Sequence, residues 1–402
     1  MNPADRLHAL DNLRASMMWL GIVLHVAAQH LVGESPLPWR DAARSPVADL
    51  LVALIHAFRM PVFFIVAGFF AALLVERRGL KGLVRHRFRR LAVPFMVFWP
   101  PIAIGMSLLV MVYLTRAVHG RFGIDWALMP PPGAQPLINT YHLWFLYLLW
   151  WFVVATALGG VLLRHLPQAV PAALLAGLRR LGSAWWGFAL LSVPLVAVGA
   201  GYPNGIVTPL GSFLPPAAEW VHNGVFFVFG LALWRARDGL LPLYSRRWWV
   251  YLGAGVPFFL AAGALVDLPR RGVDLPFQAA WVAMAYNATS WLWCFGLIGL
   301  FNRHLSSHRP WLAYLADSSY WVYLVHMLGT IGFGAVIVTW PLGALPKMLI
   351  NITVTSVVAL CSYHWLVRST AVGRLLNGPG GRTTAPAGPP TAPAGPHPSR
   401  PG

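Results

Sequence analysis

Acidic side chains are scarce in this sequence. Twelve Asp and Glu stand against 30 Lys and Arg, and charged residues of both signs make up only 10% of 402 positions. Soluble domains carry about a quarter charged residues, so a water-exposed globule is excluded. Cysteine is nearly absent as well. Cys294 and Cys361 both fall inside apolar runs, with no spacing that suggests a disulfide or a metal site. Internal repeats are missing, as is any polar stretch long enough for a second, soluble domain. The longest outer connection expected is 115–140.

Apolar residues, 57% of the chain, fill the space left by these absences. A helix needs about 20 of them in a row to cross some 30 Å of hydrocarbon. Ten runs qualify: 13–33, 47–75, 91–114, 141–163, 183–200, 220–235, 247–266, 277–301, 311–339 and 345–367. They are too long and too continuously apolar for barrel strands, which alternate. The expected fold class is all-α, a polytopic integral membrane protein with about ten transmembrane helices.

The net charge of +18 raises the question of nucleic acid, and its distribution answers no. With the N-terminus inside, the inner segments hold 22 Lys and Arg and the outer loops seven. This is the positive-inside pattern. It predicts both termini in the cytoplasm. The densest inner segment is "ERRGLKGLVRHRFRR", residues 76–90, with seven basic residues in fifteen. Residues 1–30 bear a faint likeness to a signal peptide, but cleavage would remove the most polar-patterned helix and is not expected. The chain divides into a membrane domain, 1–370, and a tail, 371–402. Residues 378–402 hold eight Pro and six Gly and are expected to be unstructured.

An ionisable group deep in a membrane is costly, so it marks a functional site by default. The candidates are Arg14 and His25 in the first span, His56 and Arg59 in the second, His142 opening the fourth and His222 opening the sixth. Asp317 and His326 belong to the ninth. Eleven residues make about three full turns of helix and a rise of about 16 Å. Arg14 and His25 therefore share one face, Arg14 near the inner edge and His25 near the midplane. Met18 and Gly21 lie on the same stripe, and Gly21 leaves room for a ligand or a close neighbour. Asp11, one turn earlier, can pair with Arg14. His56 and Arg59, three residues apart, share a face. Arg59 and His326 reach the depth of His25.

Each residue also has a plain structural explanation. His25 can be a core histidine bonded to a carbonyl. His142 and His222 begin spans at the interface, where amphipathic residues are common. Asp317 can cap or interrupt its helix, and segment 76–90 can simply set topology. Arg59 resists such a reading, because a buried guanidinium needs an anion. A substrate phosphate or carboxylate is one candidate partner. Asp49 or Asp317 is the structural one.

Several runs resemble a known family. "LDNLRASMMWLGIVLH" is similar to the opening helix of the acyltransferase 3 family, with Arg, ten residues, then His. "IHAFRMPVFFIVAGFF" resembles its second helix, "RFRRLAVPF" its basic entry to the third, and "YHLWFLYLLWW" and "SSYWVYLVHM" its fourth and late helices. The matches run in order from residue 8 to about 368. The "HAFRM" and "HLWFL" runs are most similar to the branch that acylates periplasmic glucans. That branch has Ser-Gly after the Phe run where this chain has Ala67 and Gly68, so a role for that hydroxyl does not carry over.

The resemblance implies an enzyme of a bacterial-type inner membrane. It would move an acyl group, acetyl or succinyl in class, from cytoplasmic acyl-CoA to a hydroxyl of a cell-envelope carbohydrate or lipid-linked glycan. It implies no metal. Histidine titrates in the range that base catalysis at neutral pH requires, so His25 is the expected base. Arg14, with Arg87, Arg89 and Arg90 of the basic segment, is expected to bind the phosphates of the acyl donor. Arg59 is expected to stabilise the oxyanion or hold a carboxylate of the acyl group. His56, His142, His222, Asp317 and His326 are candidates for the acceptor side. An acyl-histidine intermediate on His25 stays open. The alternative class is a transporter or flippase for a polar or glycan-linked solute. Such folds often show paired halves with broken helices, and no such pairing is present.

Overall fold

The computed structural model describes residues 3–377 apart from 34, 36, 130–138, 203 and 308. Among these residues it is helical, without strands. Six helices fill the first half: α1 Pro3–Ala27, α2 Pro46–Arg87, α3 Val93–His119, α4 Trp144–Leu162, α5 Ala169–Ser183 and α6 Gly187–Gly199. Six more follow: α7 Ala217–Arg235, α8 Arg237–Asp267, α9 Gln278–His304, α10 Pro310–Ile337, α11 Ala344–Ser362 and α12 Ala371–Asn377.

Local chemistry sets several boundaries. Ser45 caps α2 by accepting from the Val47 N–H at 3.2 Å, and Pro46 takes the first turn, where its missing N–H costs nothing. α3 stops at Gly120 in the left-handed conformation, φ 68°, its N–H donated to Arg116 O. Inside α2 the backbone leaves helical geometry at Gly79, φ 68° and ψ 178°. The basic segment therefore starts a new direction just after the second apolar run.

Five helical stretches are long and apolar enough to cross a membrane: Pro46–His119, Tyr141–His165, Arg237–Asp267, Pro310–Ile337 and Ala344–Val367. α5 and α6, bent by 111°, make a sixth if taken as one broken span. About ten spans were expected, and the difference has physical sources. Pro46–His119 is 74 residues long and joins two runs counted separately in the sequence. α1 and α7 carry charged residues, among them Asp11, Arg14, Glu219 and Arg235. α9 is diluted by Asn287, Thr289 and Ser290, all buried.

α2 is the central helix. It packs on α7 so closely that a Cβ at Gly68 would collide with Phe227 O, and one at Gly230 with Ile65 O. α9 fills the space behind, where Trp291 meets Phe226 at 4.4 Å and Phe229 at 5.1 Å between ring centres. α1 and α10 lie side by side along the other flank. α12 falls within the segment expected to be tail. It packs on α10, and its Leu376 is buried. Residues 378–402 lie outside the described residues.

A polar lock closes the end where α1 finishes and α2 begins. Lys347 of α11 donates to both oxygens of Asp41 at 3.0 and 2.9 Å and to Val338 O at 2.8 Å. Both side chains are almost fully buried. Three acceptors around one ammonium offset its desolvation. Gln29 and Asn351 both donate to Thr330 O, at 3.0 and 2.9 Å, extending the lock to α10.

Candidate active site

Two polar regions line the interior of α1, one at each end of the Arg14–His25 stripe. The first is a cavity of about 390 Å³ beside Arg14. α1 supplies Arg14 and Met18, α2 Phe63, Phe70, His86 and Arg87, and the π-turn that follows α2 supplies Arg90. α4 adds Phe145 and Leu149, and α10 adds Asp317 and Tyr320. The mouth is cationic and the inner wall apolar.

Arg14 pairs with Asp11 at 3.3 Å, both ends partly exposed, so the pair is adaptable and contributes little to stability. Arg90 donates to Leu376 O at the end of α12, and Tyr320 Oη donates to Arg90 O at 2.6 Å. In segment 76–90, Arg87 lies in electrostatic range of Arg14, Arg90 and Asp11. His86 lies in electrostatic range of Arg87, Arg90 and Arg78. Cations gathered this closely form a site suited to an anion. Arg89 is exposed and lies outside the cavity lining.

The second region lies about three turns further along α1. The His25 and His326 rings are 5.2 Å apart, and the His142 and His326 rings also 5.2 Å, nearly perpendicular at 85°. Arg59 is 6% exposed and donates from Nε to Met17 O at 2.9 Å. Its guanidinium lies 5.7 Å from the Phe63 ring. Gly21 makes this approach feasible: a Cβ there would stand 2.6 Å from Arg59 Nη2 and 3.4 Å from His326 Nε2. The room left by Gly21 is thus taken by a neighbouring helix's arginine.

Asp49 is not the partner of Arg59. Its carboxylate accepts from the backbone N–H groups of Val32 and Gly33 at 2.9 and 3.0 Å, at the far end of the helix. Asp317 lies in the first cavity, in electrostatic range of Arg14 and Arg368. His56 is exposed yet within electrostatic range of His25 and Arg59. His222 meets Phe226 edge-on at 5.7 Å and, among the described residues, has no ring contact with the histidine cluster. No group of three or more His, Cys, Asp or Glu that could hold a metal is found among the described residues.

Sequence reasoning passed over Tyr320, Tyr323 and Leu376. Tyr323 precedes His326 by three residues, so helical spacing alone puts it on that face; Tyr320, six residues back, is turned about 120° away and lines the Arg14 cavity instead. Leu376 was placed in the tail and gave no signal.

Comparison with known proteins identifies the chemistry. The sequence profile of the acyltransferase domain, acyltransferase 3, matches residues 7–364. The chain belongs to the acyltransferase 3 family. Its relatives include the glucans biosynthesis protein C of Escherichia coli SMS-3-5, 27% identical over 357 residues, covering 83% of this chain and 85% of the relative. The same protein from Escherichia coli K12 (DH10B) is 27% identical over 356 residues, with the same coverage. No solved structure matches. The acyltransferase 3 domain spans both polar regions, so the protein is an acyl-transferring enzyme built as a multi-pass membrane protein.

Proposed function

We propose that the protein takes an acyl group, acetyl or succinyl in class, from cytoplasmic acyl-CoA. It passes the group to a hydroxyl of a cell-envelope carbohydrate such as a periplasmic glucan. The enzyme works in the inner membrane, with about ten crossings and both termini cytoplasmic. The 74 residues of Pro46–His119 support that count, being far more than one crossing needs.

One observation carries the reading: a cationic cavity and a buried His–Arg cluster occupy the two ends of one stripe on α1. Arg14, Arg87 and Arg90 hold the phosphates of the acyl donor at the mouth. The apolar wall guides its pantetheine arm inward, over a distance of about 16 Å from Arg14 to His25. His25 accepts the proton of the acceptor hydroxyl as its oxygen attacks the thioester carbonyl. The tetrahedral oxyanion forms against the Arg59 guanidinium, a donor fixed in advance by Met17 O. The C–S bond then breaks, and the proton on His25 passes to the departing sulfur. His142 and His326 line the acceptor side.

Mass spectrometry of envelope glycans from cells with and without the protein tests this reading. Loss of an acyl mass from glycans that are still exported supports transfer. Unacylated glycan retained inside the cell would instead mark a transporter.

A further inference from the structure

His326 carries a constraint that this scheme has not used. Its Nδ1 lies 2.8 Å from Tyr323 O. A carbonyl only accepts, so Nδ1 holds the ring proton and Nε2 is left as a bare lone pair. That Nε2 is buried and has no hydrogen-bond partner, in a residue 1% exposed. A buried acceptor left unmade is costly, so a donor is expected to complete it during the reaction.

The surrounding elements narrow the choice of donor. His142 cannot serve. Its Nε2 donates to Leu324 O at 3.1 Å, and its Nδ1 is a second buried lone pair without a partner. Two lone pairs do not bond, and the perpendicular His142 ring only holds the plane of His326. Arg59 shares the Gly21 flank; its Nε donates to Met17 O, its Nη groups make no hydrogen bond to His326 Nε2, and in the proposed scheme they serve the oxyanion. Its positive charge also argues against a second buried cation beside it, so His326 acts as a neutral acceptor. His25 remains. Its ring faces His326 at 5.2 Å with a 43° tilt, and rotation about its soft terminal torsion can aim an N–H at Nε2.

We infer that His326 is the positioning residue for His25, its Nε2 accepting the His25 N–H so that the other His25 nitrogen presents a lone pair to the acceptor hydroxyl. The inference rests on the reading of His25 as base. During transfer His25 takes the hydroxyl proton on its free nitrogen while its N–H stays on His326. The new C–O bond forms, the C–S bond breaks, and the proton leaves with the sulfur. His326 ends as it began.

The test uses the full chain in liposomes, with acetyl-CoA and succinyl-CoA as probe donors and a glucan oligosaccharide as acceptor. His326→Gln keeps an amide oxygen near the Nε2 position. His326→Asn cannot reach it, and His326→Met keeps bulk without a comparable acceptor. The Met and Asn variants are expected to lose kcat by about 10²-fold with KM for both substrates held, whereas Gln stays within about tenfold of wild type. Wild-type kcat in His326→Met overturns the inference, and so does a Gln variant as slow as Met. His25→Ala separates the two levels. Full turnover in that variant removes the base itself. A dead His25→Ala beside an unimpaired His326→Met removes only the positioning role.

Discussion

The cavity at Arg14 and the cluster at His25 lie on one helix face and are built in opposite ways. The cavity's cations are partly exposed and already have local partners: Asp11 for Arg14, and the Leu376 carbonyl for Arg90. These contacts are exchangeable, which suits a charged ligand that comes and goes. The cluster's groups are mostly enclosed, fixed from behind by the Met17, Tyr323 and Leu324 carbonyls, and bare toward the centre. That arrangement suits chemistry, where geometry must be set before the substrate arrives. In the proposed reading, binding and reaction are separated along about 16 Å of α1.

Breaking the cluster should cost most. His25→Ala is expected to lower kcat by about 10²–10⁴-fold while CoA binding, measured by calorimetry, stays intact. Arg59→Lys should cost about 10²–10³-fold in kcat, because an ammonium cannot hold Met17 O and face the oxyanion with one planar fork. Initial rates at saturating acyl donor check it. Gly21→Val forces a side chain against Arg59 Nη2, with a stability loss of about 1–3 kcal/mol in thermal or denaturant unfolding in detergent. Its kcat should fall as Arg59 is displaced. The cavity should respond differently. Arg87→Ala is expected to raise the acyl-donor KM about tenfold with kcat little changed, and added salt should shrink the difference. Arg89→Ala sharpens the contrast: exposed and outside the lining, it should stay within about twofold of wild type in both constants. An Arg89 effect as large as that of Arg87 would mean that the whole basic segment, rather than the cavity, handles the acyl donor.

Much of this was legible in the sequence, because helical periodicity is rigid. The eleven-residue offset of Arg14 and His25 and the position of Gly21 between them translate directly into a stripe, and the structure keeps Met18 in the cavity and Gly21 against Arg59. The depth of Arg59 and His326 followed from counting residues along their runs. Orientation between helices did not follow, since one helix's periodicity says nothing of its neighbour's rotation. That is why Asp49 could be offered to Arg59, although it closes a loop on Val32 and Gly33. His222 looked equivalent to His142 in the sequence and ends against Phe226 instead. The Asp41–Lys347 lock joins residues 306 positions apart, one in an outer connection and the other at the start of the last apolar run, and neither reads as the other's partner. The count of about ten spans stays an expectation: α1 and α9 are diluted by charged or polar residues and fall outside the stretches long and apolar enough to cross a membrane, because hydropathy measures lipid-facing chemistry.

The contact at Gly21 also bears on how such a site can change over generations. Every substitution from glycine adds at least a Cβ, and here the first atom it meets is Arg59 Nη2. A side chain at position 21 therefore requires the Arg59 guanidinium to move from its present place. A change on this helix face would displace the guanidinium from the position the proposed chemistry gives it. The fate of position 21 is therefore tied to the placement of Arg59, although 38 residues separate them.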